Sequence, residues 1–301
     1  MFHQLRSARF DYLRAFIVMK VLSVFLVVLA TVFIPPRVTS AMAADDFRWL
    51  VYYSDKAPTK AFEDYGLIVF DSQFHPPLRP LLDRGKTLLG YLSLGEVEEY
   101  RDYFGGVKAE GILLHESEHW KRSFTIDIRD RRWTKRVIER LMPDILRQGF
   151  DGIFLDTLDN PVELQRVHPK KYPTMTEAAA RLVRTIRRHY PSIKIMMNRA
   201  YELLPLVEGH IDYVLGESVY ADYDFEDKSY RRVPKNLYQK QVHLLAAAKK
   251  RRPDLRVYTL DYWDPEDPKG ISGIYKEQRA NGFVPYVAPF KLDRIIKEPK
   301  Q

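Results

Sequence analysis

The chain has 301 residues, a formal net charge of +8, an apolar share of 46% and a charged share of 29%. That length suits one large α/β domain, and the composition is that of a globular protein able to bury a sizeable core. There is no cysteine, which excludes disulfides, a lipidated cysteine anchor and thiolate metal sites.

The first 43 residues differ from the rest. Arg6, Arg9, Arg14 and Lys20 precede an apolar run from Val21 to Ile34, which Pro35 and Pro36 close, and Ala41 to Ala43 forms an Ala-x-Ala site. Basic start, apolar middle and small-residue exit describe a secretory signal peptide cleaved after Ala43, leaving 44–301 as a secreted or periplasmic domain. The competing reading is an uncleaved membrane anchor, since Ala15 to Ile34 is long enough to span if Lys20 is tolerated. Without residues 1–43 the chain keeps 43 basic and 39 acidic residues, a net charge of +4. The excess lies in runs such as Arg181-Arg184-Arg187-Arg188 and Lys249-Lys250-Arg251-Arg252, which read as solvated helix faces and ends. No aromatic–basic interleaving accompanies them, so no nucleic-acid partner is expected.

Eight short apolar segments follow, at 48–53, 67–71, 88–96, 152–156, 193–198, 211–217, 256–261 and 284–290. Near-continuous apolar runs separated by helical stretches mark strands buried on both faces. Eight of them predict a single-domain α/β fold, a (β/α)8 TIM barrel, with its site at the carboxyl ends of the strands. Between strands, Trp133 to Gln148 places Trp133, Val137, Ile138, Leu141, Ile145 and Leu146 on one face, with Pro143 expected to kink the helix and Gly149 to end it. Thr176 is the expected N-cap of a helix running to about Tyr190. Further helices are predicted over Asn236 to Arg252 and Tyr275 to Ala280. Two insertions, Glu98 to Asp130 with a strand-like Phe124 to Ile128, and Tyr220 to Tyr230, should stand above the barrel mouth.

The strand ends offer Tyr53, Asp71, Glu96, Asp156, Asn198, Glu217 and Asp261, a ring of acids and amides suited to glycosidic chemistry. Cleaving a glycosidic bond takes two carboxyl groups, one to protonate the leaving oxygen and one to attack or to activate water. Asp156 ends the Gly152-Ile153-Phe154-Leu155 run inside a polar turn. Its alternative is an N-cap, for which Asp159 or Asn160 is better placed ahead of Pro161. Glu217 ends Val214-Leu215-Gly216, where glutamate is disfavoured; its alternative is a structural ion pair with Arg199 or another rim cation. Strands four and six are next-nearest neighbours, about 9–10 Å apart at the backbone, which allows either the retaining or the inverting carboxyl spacing. Tyr53, Asp71, Glu96, Asn198, Asp261, Tyr262 and Trp263 supply hydrogen bonds and flat faces to position substrate.

Two motif matches do not carry their usual chemistry. His115-Glu116-Ser117-Glu118-His119 satisfies H-E-x-x-H, but zinc binding needs both histidines on one face of a stable helix, and this stretch lies in an insertion before a strand-like segment. Gly85-Lys86-Thr87 lacks the upstream glycine of a phosphate loop, since position 80 is proline. No metal and no cofactor is expected.

Tyr91-Leu92-Ser93-Leu94-Gly95-Glu96-Val97-Glu98 with Tyr100-Arg101, Phe124 to Arg129 with Asp127, and Gly152 to Asn160 closely resemble the endo-α-1,4-polygalactosaminidases, glycoside hydrolase family 114. The similarity extends to the hydrolase domain of Pel polysaccharide proteins and runs from about residue 47 to 290. The resemblance implies a (β/α)8 barrel that cuts α-1,4-linked galactosamine polymers internally, with Asp156 as nucleophile and Glu217 as acid/base. It adds Asp127 to the substrate-binding set, and an acidic cleft of Asp71, Glu96, Asp127, Asp156, Glu217 and Asp261 for a cationic polymer. The mildly basic surface runs against such a substrate. Competing readings are a carbohydrate-binding barrel without catalysis and a zinc-dependent hydrolase using His115 and His119. Oligomeric state stays open.

Overall fold

Eight strands hydrogen-bond side by side: β1 (Trp49–Tyr52), β2 (Leu67–Phe70), β3 (Thr87–Ser93), β7 (Gly152–Asp156), β8 (Lys194–Asn198), β9 (Tyr213–Glu217), β12 (Arg256–Tyr262) and β13 (Val284–Ala288), in that order and all parallel. β1 and β2 are buried along their whole length and most of the others nearly so, as strands enclosed on both faces must be. The computed structural model describes residues 48–118 and 120–300, so the expected leader and His119 lie outside it. Among the described residues no helix is long and apolar enough to cross a membrane.

The barrel closes where β13 meets β1. There the Trp49 indole donates to Val284 O at 2.9 Å and Tyr53 N to Leu292 O at 2.8 Å. Inside that end Trp49 meets Tyr258 and Tyr286 edge-on, with ring centroids 5.2 and 6.0 Å apart. The eight expected strands are therefore the eight barrel strands, a (β/α)8 fold. One boundary moves. The run at 88–96 is broken by Leu94 and Gly95, and Glu96 begins a separate strand, β4 (Glu96–Glu98).

With β5 (Leu113–Glu116) and β6 (Ser123–Ile126), β4 makes a three-stranded antiparallel sheet inserted after barrel strand three. The second insertion is a hairpin, β10 (Ala221–Asp224) and β11 (Ser229–Arg232). The helices are α1 (Arg79–Leu82), α2 (Phe104–Ala109), α3 (Arg131–Arg136), α4 (Met142–Arg147), α5 (Asp159–Val167), α6 (Met175–His189), α7 (Leu204–Val207), α8 (Lys235–Arg251) and α9 (Pro268–Ala280).

Three local expectations are corrected. The stretch over α3 and α4 runs through a π turn, Val137–Leu141, in place of a kink at Pro143. Met142 N bonds Val137 O, and the wider turn makes room for a proline that has no N–H and crowds the carbonyl one turn back. Thr176 does not cap α6: Thr174, at φ +63, occupies the cap, and Thr176 N is satisfied by Gln165 Oε1 at 2.9 Å. Neither Asp159 nor Asn160 caps α5; Leu158 precedes it without a side-chain bond, and the two polar side chains are used elsewhere.

The joint between β3 and β4 packs directly on the end of β7. Leu94 N bonds Asp156 O at 3.0 Å and Gly95 N bonds Thr157 Oγ1 at 2.8 Å. A Cβ on Gly95 would sit 2.1 Å from Thr157 O, a backbone atom that cannot swing away. Gly95→Ala should therefore destabilise the protein by about 2–3 kcal/mol in urea unfolding. A midpoint equal to wild type would show that this contact is not rigid.

Candidate active site

Asp156, Asn198 and Glu217 are the last residues of β7, β8 and β9, three neighbouring strands. The register pairs Met197 with Leu155 and Asn198 with Leu215, which sets the amide of the middle strand between the two acids. Asn198 Nδ2 donates to Asp156 Oδ1 at 2.9 Å and to Glu217 Oε2 at 2.6 Å. These two lengths hold the facing carboxylate oxygens no more than 5.5 Å apart. The amide must present its NH2 here, because its oxygen would set an acceptor against acceptors. Asn198 Oδ1 is buried and has no partner among the described residues.

The backbone is strained just beyond each of the three. Thr157, Arg199 and Ser218 adopt left-handed conformations at φ +62, +48 and +52. For the β-branched Thr157 this is a costly geometry, of the kind that survives only where surroundings enforce it. Its hydroxyl receives Gly95 N, meets Ser93 Oγ at 2.8 Å and donates to Asp156 O at 2.7 Å. Ser218 N bonds Leu260 O at 2.8 Å, and Arg199 N bonds Leu215 O at 2.9 Å. The chain thus turns out of each strand at once and leaves the terminal side chain pointing into the mouth.

Tyrosines surround the pair. The Tyr262 hydroxyl donates to Glu217 Oε1. Tyr53 and Tyr91 meet edge-on, centroids 5.4 Å apart. Burial, then nearby carboxylates, holds all three phenols well above their usual range: Glu217 first for Tyr262, Asp156 first for Tyr53 and Tyr91. The same two causes, burial first and then Glu217, push the Asp156 carboxyl up to about 7. Two acids this close in a poorly solvated site oppose ionisation of the buried one.

Of the residues expected at the site, Tyr53, Asp156, Asn198, Glu217 and Tyr262 come together. Asp261 does not. Strand alternation turns it outward while Tyr262 points in, and it is fully enclosed. Its oxygens accept from Tyr220 N, Ala221 N and Gln278 Nε2 at 2.7, 2.9 and 2.6 Å, so it anchors the β10–β11 hairpin to α9. Glu96 is taken up by Ser123 Oγ and Asn160 Nδ2, each at 2.6 Å, and joins β6 to α5. Asp71 pairs with Arg101 at 2.9 Å and caps Gln73 N and Phe74 N. Asp127 is held by Arg129 at 2.7 Å. Trp263 donates to Asp267 at 2.9 Å and lies under Arg232. The expected acidic cleft narrows accordingly, because most of its acids have partners of their own.

Tyr91 and Arg101 escaped sequence reasoning as site residues. Tyr91 is detectable as the inward position of β3 next to Gly90. Arg101 comes from the insertion, and its contact with the Tyr91 ring at 5.4 Å has no signature in the chain. Arg199, the suggested ion-pair partner of Glu217, lies nearest Asp159 at 3.5 Å. His115 and Glu116 are in the exposed strand β5, so the helix that H-E-x-x-H chemistry requires is replaced by a strand. Among the described residues no group of three or more His, Asp or Glu could hold a metal ion.

The Asp156 shift has a measurable consequence. Between pH 4 and 7 the native carboxyl keeps a proton that the unfolded chain has released, so stability falls as pH rises through that window. Asp156→Asn removes this slope, and its Tm should overtake that of wild type by a few degrees at pH 8 while staying close to it at pH 4. Asp261, raised by burial to about 6, contributes equally to both proteins. Parallel Tm curves from pH 4 to 8 would refute the assignment.

The fold is shared with the glycoside hydrolase domain of PelA from Pseudomonas aeruginosa, at TM-score 0.73 and 24% identity over 82% of this chain and 96% of that one. It is shared too with Aspergillus fumigatus Ega3, solved in complex with galactosamine, at TM-score 0.62 and 14% identity over 83% and 94%. A protein of Deinococcus radiodurans is 26% identical over 71% of this chain and 67% of its own length. The model of glycoside-hydrolase family GH114 matches residues 33–301. That match takes in the whole barrel with its acid-bearing strand ends, and the chain is a glycoside hydrolase belonging to family GH114.

Proposed function

We propose that the protein is an exported endo-acting hydrolase of α-1,4-linked galactosamine and N-acetylgalactosamine polymers, with Asp156 and Glu217 as its catalytic pair. The observation that carries this reading is the Asn198 amide clamped between two carboxylates at the barrel mouth. A spacing of at most 5.5 Å between facing oxygens fits the retaining arrangement, where a second carboxylate attacks the sugar, and leaves no room for the water of an inverting enzyme. Galactosamine bound to a relative of the same fold supports the amino-sugar class. The leader-like first 43 residues support export.

In the free protein burial and the charge of Glu217 favour the protonated form of Asp156. A retaining enzyme needs its nucleophile ionised and a partner acid that carries the proton. The split is then that implied by the family resemblance: Asp156 attacks the anomeric carbon, and Glu217 protonates the leaving oxygen and later deprotonates water. Tyr262 orients Glu217 through its hydroxyl, and Asn198 holds both acids.

Wild-type protein incubated with α-1,4-galactosamine oligomers should release shorter oligomers whose first-formed anomer is α by NMR. Asp156→Asn and Glu217→Gln should each cut kcat by at least about 1,000-fold. A first-formed β anomer would overturn the retaining assignment; near-wild-type rates in either variant would overturn the pair. No cleavage with binding retained would make the protein a sugar-binding barrel instead.

The pH–rate profile should be bell-shaped, since the active form of the pair carries one proton. Its acid limb belongs to ionisation of the Asp156 nucleophile, so activity should rise as pH climbs toward about 7. Its alkaline limb belongs to loss of the proton that the acid/base donates. A rate still rising at pH 9 would contradict a one-proton pair.

A further inference from the structure

Large apolar side chains left in water are few here: Phe74, Tyr100, Trp120, Val167, Leu206, Phe225 and Leu237 among the described residues. Single exposed apolar residues need no explanation. The aromatic ones are not single. Phe74 and Tyr100 lie 6.4 Å apart at their centroids, and Trp120 meets Phe225 edge-on at 5.3 Å. All four stand on loops or insertions at the carboxyl ends of the barrel strands, and each pair joins two separate segments. Each of the four is more than half exposed.

Both pairs connect to the tyrosines over the carboxylates. On one side the Arg101 guanidinium lies 4.8 Å from the Tyr100 ring and 5.4 Å from the Tyr91 ring. On the other, Phe225 packs on Tyr223 at 5.2 Å, and Tyr223 stacks on Phe290 at 3.9 Å. Phe290 lies two residues before Leu292, whose carbonyl receives Tyr53 N. Tyr53 and Tyr91 meet each other at 5.4 Å. Ring contacts therefore run from Trp120 through Phe225 and Tyr223 to Phe290, and Arg101 links the Phe74–Tyr100 pair to Tyr91. Arg101 pairs with both Asp71 and Glu98, one cation against two carboxylates, so the formal charge there is negative and does not oppose a cationic ligand.

We propose that Trp120 with Phe225 and Phe74 with Tyr100 are two sugar-binding platforms that grip an amino-sugar polymer away from the bond being cut. Flat ring faces offer apolar area to the C–H face of a pyranose, and their negative quadrupoles attract an ammonium within about 6 Å. Galactosamine units carry both features. Platforms additional to the carboxylates would favour long chains over short ones. This rests on the amino-sugar reading above for the identity of the polymer, and on the rings alone for the existence of the sites.

The test is affinity electrophoresis of the full chain carrying Glu217→Gln, in gels containing an α-1,4-galactosamine polymer. Adding Trp120→Ala and Phe225→Ala together, or Phe74→Ala and Tyr100→Ala together, should weaken retardation about tenfold for each pair. Trp120→Phe with Phe225→Tyr keeps both rings and should restore it, which separates lost stacking from lost folding. Weakening below fivefold in both pairs, no retardation of the parent, or failure of the ring-conserving variant while the protein melts as wild type would overturn the proposal. Retardation abolished by the alanine pairs, in a protein whose Glu217-intact form cleaves nothing, would uphold the platforms and reject the hydrolytic reading.

Discussion

The contact on which the rest of the site depends is the amide of Asn198 between Asp156 and Glu217. Two like charges a few ångströms apart repel strongly where water is scarce, by about 4 kcal/mol at 4 Å for an effective dielectric near 20. The raised Asp156 carboxyl and the two N–H groups of Asn198 reduce that penalty. The barrel supplies the geometry without further adjustment, because three consecutive parallel strands end at one level and the middle one carries the amide. Moving any of the three by one residue would turn its side chain out of the mouth.

Holding those ends in place imposes its own cost. Left-handed backbone at Thr157, Arg199 and Ser218 amounts to about 1–3 kcal/mol each in an ordinary setting. The offset comes from parts of the chain that take no part in chemistry. Ser93 and Gly95 fix Thr157, Asp159 draws on Arg199, and Gln241 of α8 donates to Ser218 O at 2.9 Å. Glu96 and Asp261 belong to the same support, one tying the three-stranded insertion to α5 and the other tying the hairpin to α9. Acids at the rim of such a barrel therefore divide into those that face the substrate and those that brace the loops around it.

That division is what the sequence could not express. The strands were legible because burial on both faces leaves continuous apolar runs, and Asp156, Asn198 and Glu217 because each interrupts such a run at its end. Asp261 occupies a similar place, yet β12 continues one residue further, to Tyr262, and alternation reverses its direction. Asp71, Asp127 and Glu96 are a different case. Their partners Arg101, Arg129, Ser123 and Asn160 arrive through insertions and tertiary packing, at positions no periodicity marks. The helix starts were missed in the same way: Thr176 N finds Gln165, a residue of the preceding helix, in place of a local cap.

The basic surface, at odds with a cationic polymer when only composition is considered, loses its force once the arginines are located. Arg184 pairs with Glu177, Arg187 with Asp212, Arg251 with Glu208 and Arg252 with Asp254. Arg187 also donates to His210 O and Ile193 O, and Arg252 to Ile211 O, carbonyls that lie ahead of β8 and β9. These cations serve the amino end of the barrel, the end opposite the mouth. A strand of five residues spans about 17 Å, twice the distance over which physiological salt screens a charge. Paired at one end and screened over that depth, these arginines add little to the potential at the mouth, where Asp156 and Glu217 lie.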